Sequence, residues 1–301
     1  MVSSGLAHTR VLLGSFWKGA GGIAGARVVI DEEAATLYCF RGSEIKGFTL
    51  DGDLALRADL GAHIPADSVC AVNCARNRMC FMDRASSRIS VCAFGVDDSL
   101  GQTHLLPRSA GAVGALCFGR DSHDIIVASL KDDAKTAGSS SLVLSKFVLL
   151  ATGAYAFLLP ISVTQDPLQR EQNTTLAIAA DEKRDCVWVA ETCSKRTQIR
   201  VVPWYAPLRA SSLILPAATT CFLLTNAAIE GVLVVADATV LLLDEDIRAR
   251  NEWQLPRIDD FDGPPTSVAY HGPTAMLYVA AGASLRAMTL DRSLAGCASS
   301  T

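Results

Sequence analysis

Six positions recur at the ends of short apolar runs: Asp31, Asn73, Gly119, Asp181, Asn226 and His271. All but Gly119 carry a carboxylate, a carboxamide or an imidazole. Oxygen donors from Asp31, Asn73, Asp181 and Asn226, gathered around one axis, could hold a hard cation, which takes several oxygen ligands. The same residue types also satisfy free backbone groups in tight turns, and a repeating turn would place them at a repeating position for that reason alone. The turn reading is the primary one. It assigns no metal, no cofactor and no catalytic residue, and the cation site stays as the alternative.

Other chemistry has less to stand on. The histidines at 8, 63, 104, 123 and 271 are dispersed, and no CxxC supplies a zinc-ligand pair. No GxSxG, P-loop or GxGxxG occurs. The glycine-rich stretch Ala20–Gly25 leads into a strand rather than opening a helix, so it reads as a flexible connection.

What positions the recurring residues is a repeat. Before each of the six lies an apolar run (RVVI, VCAV, ALCF, LAIAA, CFLLT, SVAY), and six residues after each a second run is under way, at Leu37, Met79, Ile125, Val187, Val232 and Leu277. A third run follows in every unit, and Val28 with Ile30 shows the period of two that a strand requires. Leu54–Leu60 supplies a fourth strand to the first unit. By subtraction of their positions, the markers stand 42, 46, 62, 45 and 45 residues apart. A period in this range signals stacked sheets or propeller blades.

The reading is therefore all-β, a six-bladed β-propeller in one domain over residues 1–301. Its blades lie at about 26–60, 68–106, 113–159, 175–215, 219–255 and 266–290. The last blade lacks a fourth strand, and Thr9–Phe16 precedes the first full unit. Pairing of 9–16 with the final blade closes the ring and removes the open edges of an unclosed array.

Blade three is the irregular one. Lys131–Ser140 lengthens the connection between its second and third strands, and Ile161–Asn173 lengthens the link into blade four. In a propeller these two connection types emerge on one face, and insertions on one face often mark the binding face. The second-strand ends at Arg41, Asp83, Lys131, Asp132, Glu191 and Asp237 belong to the same face. Asp133, Lys135, Gln165, Arg170 and Glu171 lie in the insertions. Their mixed signs suit a polar protein segment, since complementary charge governs specificity and encounter rate.

Composition narrows the partners. The formal charge is −4 and no run of Lys and Arg forms a basic stripe, which argues against nucleic acid; the acidic stretch 259–262 adds to this. Leu142–Pro160 is markedly apolar, yet Lys146 sits inside it and Gly153 marks a turn, so it reads as two strands and not a membrane span. Of the ten cysteines, Cys39, Cys70, Cys80, Cys92, Cys117, Cys186 and Cys221 fall at predicted strand positions, where a free thiol acts as a small hydrophobe. Without a recognisable secretory leader, this points to a reducing, cytoplasmic setting.

The units resemble the NHL-type repeat of six-bladed propellers. The matching pieces are VVID…LYCF, CAVN…CFMD with SSRISV, and AIAAD…VWVAE with RTQIRVV, while VVAD and LYVAAG repeat the second-strand ending. WD40 repeats are a second resemblance, without their Gly-His and Trp-Asp dipeptides. The resemblance implies a disc with a central channel and a protein-interaction scaffold, a subunit of a larger complex. Lactonase-like relatives imply the alternative, a metal-dependent lactonase or esterase with its metal at the channel end. Those enzymes also take a Glu ligand from an inner strand, and the sequence places none there.

Overall fold

A computed structural model of the protein describes residues 4–6, 8–13, 27–59, 68–73, 78–83, 88–93, 102–105, 112–119, 123–132, 139–158, 160–163, 168–169, 174–226, 229–255, 264–281 and 284–290. Within them the secondary structure is strand, apart from single 3-10 turns at Glu182–Arg184 and Pro207–Arg209. Two strands precede the first full repeat, β1 (Ser4–Leu6) and β2 (His8–Leu13). Blade one is β3 (Arg27–Asp31), β4 (Thr36–Arg41), β5 (Glu44–Thr49) and β6 (Leu54–Asp59). Blade two is β7 (Val69–Asn73), β8 (Arg78–Asp83), β9 (Arg88–Ala93) and β10 (Gln102–Leu105).

Blade three is β11 (Ala112–Phe118), β12 (Ile125–Asp132), β13 (Ser139–Leu149), β14 (Tyr155–Phe157), β15 (Ile161–Ser162) and β16 (Leu168–Gln169). Blade four is β17 (Thr175–Asp181), β18 (Cys186–Thr192), β19 (Arg196–Pro203) and β20 (Ser211–Pro216). Blade five is β21 (Cys221–Leu224), β22 (Val232–Ala236), β23 (Thr239–Leu243) and β24 (Ala249–Gln254). Blade six is β25 (Pro265–His271), β26 (Met276–Ala281) and β27 (Ser284–Thr289). The strands of each repeat pair in chain order, giving the six sheets that the marker spacing predicts.

One hairpin explains the six-residue step. Asp31 pairs with Thr36, Asn73 with Arg78, Asp181 with Cys186 and His271 with Met276, so each loop holds four residues. The residue six beyond each marker then stands opposite the residue before it, as Leu37 does opposite Ile30. The last loop residue is left-handed in three of these turns, at Ala35 (φ 48), Asp185 (φ 52) and Ala275 (φ 54). Asp244 caps a tight turn: its Oδ1 accepts from the Asp246 and Arg248 N–H groups at 3.0 and 2.8 Å. Strand β24 begins directly after it.

The chain divides into two compact units, Met1–Ala66 with Leu224–Thr301, and Asp67–Leu223. In the first, the predicted closure is present as β2 running antiparallel to β27, with His8 opposite Thr289 and Arg10 opposite Ala287. The described strand is 8–13, and residues 14–16 of the predicted one lie outside the described residues. A strand that the sequence did not disclose, β1, adds in parallel to β24 of blade five, Gly5 opposite Trp253. The opening of the chain therefore straps two neighbouring sheets. Blades six and one share a core of Val28, Leu37, Cys39, Phe48, Ala269, Tyr278 and Leu285. The Ser267 hydroxyl ties their innermost strands, accepting from Val28 N–H at 2.9 Å and donating to Val28 O at 3.3 Å.

In the second unit blade three is buried on both faces. Ile125, Val127 and Phe147 pack with Cys80, Met82 and Val91 of blade two, while Ile126, Ala128, Leu142 and Leu144 pack with Val187, Val189 and Val202 of blade four. Burial on both faces demands apolar residues at consecutive positions, and this accounts for the hydropathy of 142–160. Gly153 turns the chain at φ +82, and Lys146 finds Asp124 at 2.7 Å with the Trp204 ring 5.5 Å from its Nζ. No helix among the described residues is long and apolar enough to cross a membrane.

Eight cysteines fall in the described residues, and none of them is in a disulfide: Cys39, Cys70, Cys80, Cys92, Cys117, Cys186, Cys193 and Cys221. Burial pushes the Cys92 thiol up to about 11 and those of Cys117 and Cys186 up to about 12. These sulfurs are protonated packing groups at neutral pH, not nucleophiles.

Candidate interaction site

Part of the surplus length of blade three is built into sheet. Strands β12 and β13 run as a hairpin out to Asp132 opposite Ser140, longer than the equivalent pair in any other blade. The fourth position of the sheet is then filled in three pieces along one edge of β13. β14 lies opposite 147–149, β15 opposite Val143–Leu144, and β16 opposite Ser139–Ser140. Ser140 thus has Asp132 on one side and Leu168 on the other. The two insertions meet there, at the loop end of the hairpin. Ile161–Ser162 and Leu168–Gln169, in what the sequence presents as loop, are edge strand, and Val163 is buried between blades three and four and donates its N–H to Leu142 O at 2.9 Å.

At that end Lys131 is exposed, and Ser141 Oγ donates to its carbonyl at 3.5 Å. Asp132 is placed by the ladder. Asp133, Lys135, Gln165, Arg170 and Glu171 lie outside the described residues. In the other blades Arg41 pairs in register with Glu44 and Asp83 with Arg88, and Asp237 (φ 46) begins the two-residue turn from β22 to β23.

Glu191 departs from the rim position that its sequence suggests. β18 continues past it to Thr192, so Glu191 faces inward opposite Gln198 and is 4% exposed. Arg200 Nη2 approaches its Oε2 at 3.5 Å, and neither carboxylate oxygen accepts a hydrogen bond among the described residues. Burial raises the carboxyl above its ordinary range, and the charges of Arg200 and Arg196 offset that only in part. This is a buried ion pair inside blade four, not a surface contact.

The marker residues are engaged in local bonds. Asp31 Oδ1 accepts from the Glu33 and Ala34 N–H groups at 3.1 and 2.9 Å. Asp181 accepts from Arg184 N–H at 3.3 Å and holds the Arg184 guanidinium at 3.0 Å. Asn73 Nδ2 donates to Gly119 O at 3.2 Å, tying the marker of blade two to that of blade three. His271 Nδ1 lies 2.6 Å from Thr274 Oγ1. Asp181→Ala is expected to cost about 1–2 kcal/mol, the range of a lost cap, in a denaturant melt.

One residue of this set is not signalled by the sequence. Glu32 Oε1 accepts from Asn226 Nδ2 at 2.6 Å and from Gly272 N–H at 2.9 Å, joining the marker turns of blades one, five and six. Nothing local marks Glu32, since its partners are 194 and 240 residues away. Asn226 meets it through nitrogen, whereas a cation would require the amide oxygen. No group of three or more His, Cys, Asp or Glu among the described residues is placed to hold a metal ion.

No protein-family model and no curated protein matches the chain. Several solved structures do. A gluconolactonase from Xanthomonas campestris, XC5397, is 18% identical with a TM-score of 0.55, over 95% of this chain and 90% of that one. The β-propeller domain of Myceliophteria_thermophila Cps50 (Swd1) is 9% identical at a TM-score of 0.56, over 94% and 100%. A chain of the mitotic checkpoint complex is 9% identical at 0.53, over 96% and 93%. At such identities the likeness carries the fold alone: with its six meander sheets, the chain is a six-bladed β-propeller.

Proposed function

We propose that this protein is a non-enzymatic interaction module, a subunit of a larger assembly in a reducing compartment such as the cytoplasm. Its partner is a protein, engaged through the end of blade three where Lys131–Asp132, Ser139–Ser141 and Leu168–Gln169 come together. The carrying observation is that convergence, with two insertions from different parts of the repeat laid against one another in register. Lys131, Asp132, Asp133, Lys135, Gln165, Arg170 and Glu171 would supply mixed charge around it, and Arg41, Asp83 and Asp237 the equivalent turns of other blades. Complementary charge would then set partner choice and encounter rate. The mitotic checkpoint chain supplies precedent for the fold in an assembly.

The test is affinity capture with cross-linking from cells, comparing wild type with Lys131→Glu in a chain whose residues 133–138 are replaced by a Gly-Ser turn. Loss of a stoichiometric partner, with the thermal melt unchanged, is the expected result. Retention of every partner would mean that the binding face lies elsewhere.

A second reading, a metal-dependent lactonase or esterase, is favoured by the gluconolactonase likeness. It predicts stoichiometric calcium or zinc in the purified protein, lost on Asp181→Ala with Asn226→Ala, and opening of a gluconolactone. Metal content near zero after purification in calcium- and zinc-containing buffer, together with no turnover, removes it.

A further inference from the structure

We infer that the outer edge of blade four is a second docking site, which accepts an extended acidic segment of a partner protein as an added β-strand. The inference rests on the interaction-module reading and extends it to a different surface. β20 is the last strand of its sheet, and among the described residues nothing pairs with its outer side. Proteins guard such edges with a charge on the strand, a bulge, a very short strand or a cover. Among the described residues β20 has none of these. Its six residues, SSLILP, carry no charge, and only the final Pro216 is an edge blocker.

The register with β19 runs from Arg196–Pro216 to Val201–Ser211 without a shift. Three other outermost pairings do contain a shift: β5 with β6, β23 with β24, and β27 with β2. Blade five, in addition, carries β1 as a strand in parallel beyond β24. The fold therefore already accommodates strand addition at this position in one blade. On β20 the apolar side chain at the middle of the edge, Ile214, is 58% exposed, and Tyr205 in the turn before it is 86% exposed.

Charge selects the occupant. From Thr192 to Ile229 the chain has no Asp or Glu, yet it has Lys195, Arg196 and Arg209 besides Arg200, whose charge is taken up by Glu191. Arg196 sits opposite the last residue of β20 and Arg209 just before the first, in a protein whose formal charge is −4. A second copy pairing edge to edge would bring like charges together, which is destabilising. A nucleic acid strand would answer the charge but could not complete the ladder of backbone hydrogen bonds. A segment alternating apolar and acidic residues does both, since main-chain bonds supply affinity and alternate side chains supply specificity.

The test uses the full chain and a fluorescein-labelled peptide of alternating valine and glutamate, followed by anisotropy. Saturable binding is expected, with slowed amide exchange over 211–215. A peptide with lysine for glutamate, and an N-methylated acidic peptide unable to donate to the ladder, should each bind at least about tenfold more weakly. Arg209→Glu and Ile214→Glu, both at exposed positions and checked by thermal melts, should each lose about tenfold. Several results would overturn the inference: no saturation below about 1 mM, equal binding of acidic and basic peptides, or affinity unchanged in both variants. So would displacement of the peptide by a single-stranded oligonucleotide, or a dimer of the protein alone that Ile214→Glu dissociates. If capture through blade three succeeds while the peptide fails, only the blade-four site falls.

Discussion

Gly231→Ala is expected to lower the unfolding free energy by about 3 kcal/mol or more, the scale of strain combined with overpacking. Gly231 stands immediately before β22 at φ +131, a conformation that L side chains rarely adopt. A Cβ there would lie 1.9 Å from the Leu243 carbonyl oxygen, 2.9 Å from its carbon and 3.1 Å from Asp244 Cα. All three are backbone atoms, so no rotamer change relieves the overlap. The strands must separate instead, at the Val232–Leu243 pair that begins the β22–β23 ladder. The same movement disturbs Asp244, whose carboxylate organises the turn into β24 and takes Arg250 Nε at 2.6 Å.

Gly153→Ala is the control that separates the two causes. Gly153 is also left-handed, at φ +82, but nothing lies within 4 Å of an added Cβ. That variant should show the conformational penalty alone, about 1–2 kcal/mol. Urea melts of both proteins settle the matter, and equal losses would mean that the Leu243 overlap is relieved at no cost.

How much of this was legible from the residues depends on the range of the interaction concerned. The marker hairpins were legible because each is closed within a few residues. Asp31 caps Glu33 and Ala34, and the step to Leu37 is the register of one four-residue loop. Closure by the N-terminus could be read from the missing fourth strand of blade six, and His8–Leu13 occupies that place. Strand β1 could not, because Ser-Gly-Leu carries no strand signal of its own and owes its conformation to the edge of β24. Glu32 was hidden for the same reason: its partners come from other blades. Glu191 misled in the opposite direction. Its place as a second-strand end suggested the rim, whereas β18 continues to Thr192 and the pleat fixes Glu191 on the inward side, overriding the preference of a single residue.

That override makes Arg200→Gln the second large effect, about 3–5 kcal/mol of lost stability at pH 8, because it leaves a buried carboxylate without its nearest counter-charge. Glu191 is 4% exposed, and only Arg196 would remain to act on it, from a greater distance than the 3.5 Å of Arg200. The pH dependence identifies the cause. Burial holds the Glu191 carboxyl above its ordinary value of 4.5 in the folded protein, and loss of Arg200 raises it further. The folded state then binds more protons than the unfolded one between those two values, so stability falls as pH rises through that window. Below the ordinary carboxylate range both states are protonated and the penalty disappears. The gap between wild type and Arg200→Gln should therefore be widest at pH 8 and shrink steadily on acidification, as each pair of urea melts is compared at the same pH. Glu191→Gln combined with Arg200→Gln should recover most of the loss at pH 8, since no unpaired charge remains. A gap that does not change with pH, or a double variant as unstable as the single one, would show that Arg200 acts through packing of its stem and its 3.0 Å bond to Gln198 and not through Glu191.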